Sequence, residues 1–150
     1  MSKHPVCDLR DLPEGSHIVR QITDRMSVGV YNVDGRIVAF RNHCPHAGAP
    51  VCEGTVGGAI LCDKNFERHL AHEGKILRCP WHAWEFLLPE GITLTKPAYR
   101  LLSHPVVVED GQIFVQLAPG PVVVAATTAA TASTTTTTTT TTSAAAPRSP

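Results

Sequence analysis

The sequence predicts an all-β domain, an antiparallel sandwich or small barrel, and three observations predict it. Short runs of alternating or β-branched residues recur along positions 6–117. Asp-Gly pairs stand between such runs at 34–35 and 110–111, where two-residue hairpin turns favour them. No stretch sustains the helical period of an amphipathic helix, apart from a turn or two that 63–74 would allow.

Each element follows from its residues. The runs 16–22, 27–33 and 36–40 alternate or cluster Val, Ile, Tyr and Phe, and the last two flank Asp34-Gly35, so they form a hairpin with a partner strand before it. Gly58 to Cys62 and Lys75 to Cys79 are short apolar strands with the charged stretch 63–74 between them. Trp84 to Leu88 is the next strand. His104 to Asp110 and Gln112 to Leu117 close the domain as a second hairpin about Asp110-Gly111. No repeat of fixed period appears, which sets solenoids and propellers aside.

From Ala118 the composition collapses into Ala, Thr and Pro, with no aromatic and no charge before Arg148. Such a run offers too little large apolar surface to offset the entropy of ordering it, so 118–150 is expected to be a disordered tail. The remaining residues, about 110, suffice for one core.

Lys plus Arg (13) balances Asp plus Glu (13), so charge gives no reason to expect nucleic acid or an anionic membrane as partner. No apolar run approaches the length of a membrane span, and the first residues lack the apolar stretch of a signal peptide. A cytoplasmic protein is the expectation. Its five cysteines, at 7, 44, 52, 62 and 79, are odd in number and dispersed, which in a reducing compartment favours metal ligands and free thiols over disulfides.

Two loops carry the chemistry. Cys44-x-His46 follows one strand and Cys79-x-x-His82 follows another, each cysteine with a proline after it. Two thiolates and two imidazoles make a complete ligand set for a metal centre. A structural zinc would accept them, but zinc fingers commonly pair Cys with Cys and His with His in sequence, whereas each loop here contributes one of each. That mixing suits a diiron cluster with unlike ends, one iron held by Cys44 and Cys79 and the other by His46 and His82.

The stretches "VYNVDGRIVAFRNHCPHAGAPVCEG", "CPWHAWEF", "KPA" and "VVVEDGQIFV" resemble the Rieske [2Fe-2S] family, over about residues 6–117. The resemblance implies a Rieske-type antiparallel β-sandwich or barrel with a two-loop cluster-binding subdomain. It also implies a [2Fe-2S] cofactor on Cys44, His46, Cys79 and His82. The sequence departs from the family in three places: thirty-two residues separate His46 from Cys79, Leu87 replaces an expected Asp, and Glu90-Gly91 replaces a Thr-Gly turn. The charged excursion within 55–75 is expected to be solvated.

High-potential members of the family have a disulfide between the loops and hydroxyl donors to the cluster. Here Ala49 and Trp81 fall at the disulfide positions, and Trp84 and Phe86 at the hydroxyl positions. Without those donors the reduced cluster is less stabilised, so the potential is expected at the low end of the range, roughly −150 mV. The outer edges of His46 and His82 are expected to reach solvent, where electrons leave and a proton can follow. Pro45, Pro50, Pro80 and Trp81 are expected to cap the cluster, and Trp84 to pack beneath it.

The function implied is a soluble ferredoxin passing single electrons from a reductase to an oxygenase, a component of an oxidoreductase system rather than itself a catalyst. A small subunit of a nitrite reductase-like enzyme and a zinc-bound interaction module are the alternatives. Cys52 and Cys62 would form a disulfide, or a second metal site with His69 or His72, only if the fold brought them together. Cys7 reads as a buried or edge thiol of the first strand, and His4, His17, His43, His69, His72 and His104 as solvent-facing or locally hydrogen-bonded groups rather than ligands.

Overall fold

The computed structural model describes residues 2–117 and the backbone of one two-residue strand beyond them. In chain order the strands are β1 (Lys3–Asp8), β2 (His17–Thr23), β3 (Met26–Val33), β4 (Arg36–Arg41), β5 (Thr55–Cys62), β6 (Arg68–Arg78) and β7 (Glu85–Leu87). The short β8 (Ile92–Thr93) and β9 (Ser103–His104), then β10 (Val106–Glu109), β11 (Gln112–Gln116) and β12 (Val124–Ala125), complete them. Two single 3-10 turns, Leu9–Asp11 and Val51–Glu53, are the helical elements among the described residues. The rest of the tail expected to be disordered, 118–150, lies outside the described residues.

Three antiparallel sheets result: β1-β11-β10, β12-β4-β3-β2 with β9 also on β4, and β5-β6-β7-β8. The expected hairpin turns are present, with Asp34 and Gly35 at φ of 51° and 77° and Asp110 and Gly111 at 50° and 75°. Two left-handed residues in succession give the turn whose twist matches that of the flanking strands.

Three expectations need correction. The turn or two of helix allowed within 63–74 is absent, because β6 starts at Arg68 and pairs with β5 through Ile60 with Leu70 and Leu61 with His69. Cross-strand apolar pairing supplies a partner for side chains that an isolated helical turn would leave bare. The single strand read over 104–110 is broken at Pro105, with β9 joining β4 and β10 joining β11; proline has no N–H to donate to a ladder. β1 runs Lys3–Asp8 and so begins before residue 6, where the resemblance starts.

The β3–β4 hairpin is a wall between two cores. On one side Val28, Val30, Ile37 and Ala39 pack with Val6, Leu12, Val106, Ile113 and Val115. On the other, Tyr31, Val33, Val38 and Phe40 pack with Cys44, Val51, Cys52, Leu77, Cys79 and Phe86. Alternation along two strands is what sends neighbouring residues to opposite faces. Among the described residues no helix is long and apolar enough to cross a membrane.

Candidate metal centre

The first loop leaves β4 and the second leaves β6, and they are built alike. The Cys44 N–H donates to the Ala49 carbonyl at 2.8 Å, while the Cys44 carbonyl accepts from Gly48 N–H at 2.8 Å. In the second loop the Cys79 N–H donates to the Trp84 carbonyl at 2.9 Å, and its carbonyl accepts from Ala83 N–H at 3.1 Å. Each cysteine is thus the base of the same closed turn, and the residue four places on takes a left-handed φ in both, 76° at Gly48 and 55° at Ala83.

Glycine meets that demand in the first loop; alanine does not meet it freely in the second, because its Cβ crowds the following carbonyl. Ala83→Gly is therefore expected to raise stability by about 1 kcal/mol, read from denaturant midpoints, despite the usual cost of adding a glycine.

The loops are brought together by neighbours that sequence reading did not single out. The Asn42 side chain accepts the Cys52 N–H at 2.8 Å and donates to Ser27 Oγ, pinning the far end of the first loop to β3. Gly54 ends that segment against β6: a Cβ there would stand 1.8 Å from the Arg78 carbonyl oxygen. Arg78, just before Cys79, donates to Glu85 Oε1 from Nε at 3.2 Å and from a terminal nitrogen at 2.6 Å. That pair closes the base of the second loop.

Cys44 and Cys79 are buried, at 1 % and 2 % exposure, and His46 and His82 are exposed. Burial pushes the Cys44 thiol up from its ordinary pKa; the Cys79 thiol beside it pushes the same way, and the backbone N–H groups of His46 and Ala47, bonded to the sulfur, pull against both. The two imidazoles meet edge to face with ring centroids 4.7 Å apart. Among the described residues no three Cys, His, Asp or Glu side chains gather about one point. The four donors stand as two pairs, thiol with thiol inside and imidazole with imidazole at the rim.

Trp84 packs against the core that contains Cys44 and Cys79, and its ring also stacks on His46, centroids 4.4 Å apart and planes 13° apart. Tyr99 crosses its edge at 5.3 Å, and Lys96 Nζ stands 5.4 Å from its centroid. The expected cap is only partial, since Pro45 and Pro50 are half-buried while Pro80 and Trp81 are exposed.

Cys52 and Cys62 are not brought together. Cys52 is buried in the core and Cys62 is exposed at the end of β5, and both are free. Burial pushes the Cys52 thiol up to about 11, against the Tyr31 hydroxyl and the Gly29 backbone that bond to it. Cys7 is a half-buried free thiol in β1, also pushed up by burial, as read from sequence.

The comparisons with known proteins agree with this construction. The Rieske [2Fe-2S] domain family matches residues 2–105. The 3-phenylpropionate/cinnamic acid dioxygenase ferredoxin subunit of Escherichia coli (strain K12) is 30 % identical over 118 residues, covering 78 % of this chain and 95 % of that protein. Among solved structures, a chain of the complex of reduced oxygenase and oxidized ferredoxin in carbazole 1,9a-dioxygenase superposes with a TM-score of 0.60 at 22 % identity, over 79 % of this chain and 96 % of that one. The Sphingomonas yanoikuyae B1 ferredoxin superposes at 0.55 and 23 % identity, over 80 % and 100 %. At those identities the two structures speak for the fold.

Proposed function

This chain belongs to the Rieske [2Fe-2S] domain family, and on that premise we propose that it is the ferredoxin component of a dioxygenase system, carrying single electrons from a reductase to an oxygenase. One domain over 6–117 would hold the site, and the cytoplasm is the compartment that suits it. The observation that carries this reading is the sorting of the four donors, with two thiols paired in the core and two imidazoles paired at the rim.

A [2Fe-2S] cluster fits that donor set: Cys44 and Cys79 would hold the inner iron, His46 and His82 the outer one. A single tetrahedral zinc would need all four donors to converge on one point, and they do not. When bound, the cluster supplies a one-electron couple. The chain's own residues bury the sulfur end, donate peptide N–H groups to Cys44, and leave the imidazole edges where a partner can approach them. Electron exchange with a partner would take place at that rim.

No side-chain hydroxyl stands at 84 or 86, since Trp84 stacks on His46 and Phe86 is fully buried in the core. The midpoint is therefore expected near the low end, roughly −150 mV. Trp84→Ser should raise it by roughly 60 mV, the one-electron equivalent of a hydrogen bond of about 1.4 kcal/mol to a charged group. A midpoint unmoved in protein-film voltammetry would remove that account of the tuning.

The test of the function is electron paramagnetic resonance on the dithionite-reduced protein, with iron and sulfide assayed on the same sample. A rhombic mixed-ligand signal with two irons per chain supports the carrier. A silent, colourless protein containing zinc would overturn it.

A further inference from the structure

The hairpin of β5 and β6 extends past the sheet that holds the site, and its surface is unlike the rest. Four of the seven large apolar side chains exposed among the described residues lie on it: Ile60 at 71 %, Leu61 at 37 %, Phe66 at 88 % and Leu70 at 58 %. Ile60 and Leu70 are cross-strand partners and so share a face. The tip is built rather than slack, since Asp63 Oδ1 accepts the N–H of Asn65 at 2.8 Å and of Glu67 at 2.9 Å. That turn presents Phe66 to solvent with φ of 63°.

β5 is also an edge strand, outermost in the order β5-β6-β7-β8. Its sequence, TVGGAILC, carries no charge and no proline. Proteins ordinarily guard a long edge with charges, prolines or a cover, because its free N–H and C=O groups template pairing with another chain. Nothing of that kind stands on β5 itself.

We propose that this edge and its arm form a homodimer interface, in which the β5 strands of two copies of the chain pair antiparallel about a two-fold axis. An identical strand in antiparallel register is its own complement, and an uncharged one meets no like charge across the axis. Ile60 and Leu70 share one face of the arm, Leu61 stands on the other and Phe66 at the tip, and together they offer on the order of 500 Å² of apolar surface around the edge, comparable with the largest apolar patches of monomers, which are often functional. Edge pairing covers part of that surface in each copy, which places the contact at the small end of specific interfaces, below about 1,200 Å². Position also favours a second copy over a redox partner. β5 starts at Thr55, opposite the residue before Cys79, and runs about 23 Å to Cys62 at the rise of a strand. An occupant of this edge pairs with the β5 backbone, and neither histidine of the site lies on that strand.

Sedimentation velocity of the full chain with its cluster, across a micromolar concentration series, tests this. The expected result is a dimer whose dissociation constant rises at least about tenfold in Ile60→Lys and in Phe66→Ser, with the visible spectrum unchanged. Phe66 sits at an exposed tip, so its variant reports even if Ile60→Lys folds poorly. A chain monomeric throughout the series overturns the proposal. So does a dimer that neither substitution weakens, which places the contact elsewhere. A chain ending at residue 125 that dimerises while the full chain stays monomeric also overturns it, and puts the Thr-rich tail on the edge instead.

Discussion

His82→Cys is expected to keep the protein coloured while lowering its midpoint by roughly 125 mV, about half the way toward the roughly −400 mV of centres held by four cysteines. A neutral imidazole at the outer iron would be exchanged for a thiolate, and the extra negative charge disfavours the reduced cluster. The site allows the exchange sterically, because His82 is exposed at the rim and its ring is held by contacts with His46 and Trp81 rather than by close packing. Redox titration followed by absorption gives the midpoint, and the shift of the reduced resonance toward a more axial form gives the ligand change independently. An unchanged midpoint would remove His82 from the ligand set.

Gly54→Ala is expected to destabilise the domain by at least about 3 kcal/mol. The Cβ it adds would stand 1.8 Å from the Arg78 carbonyl oxygen, 3.0 Å from its carbon and 3.1 Å from the Val51 carbonyl oxygen. All three neighbours are backbone, so no side chain can swing away. Relief requires the end of the first loop to draw back from β6, the movement that parts Cys44 from Cys79. The variant should lose both thermal stability and cluster occupancy, with an unfolding midpoint lower by roughly 12 °C or more at this size. Gly57→Ala is the control: no atom lies within 4 Å of its added Cβ, and β5 continues through it. Equal losses in the two variants would show that the glycines matter for some reason other than the loop junction.

The strands and the four donors were legible because their signals are local: β-branched alternation, two Asp-Gly turns, and a Cys and a His within three residues of each other. What was not legible depends on partners distant in sequence. Residues 68–74 carry charges and histidines that read as a solvated excursion, yet they extend β6 because Ile60 and Leu61 lie opposite Leu70 and His69. The stacking of Trp84 on His46 gave no sign in the sequence, since only the folded loops bring the two rings together. Asn42 gave no sign of its role, because its bonds to Cys52 and Ser27 run ten and fifteen residues in opposite directions. The likeness of the two loops showed in the Cys-Pro pair and the histidine of each, while the matched spacing of Gly48 and Ala83 after their cysteines was concealed by the difference of residue type.

The wall formed by β3 and β4 has a consequence for how such a chain can change over time. Each of its faces answers to a different set of neighbours, with Val30 and Ala39 turned toward one core and Tyr31 and Phe40 toward the other. Substitutions that reshape one compartment are screened from the other by a layer of backbone that both share. A substitution in the core of Val30 and Ala39 is therefore expected to change stability without disturbing the loops that carry Cys44 and Cys79, whereas one in the core of Tyr31 and Phe40 acts on both.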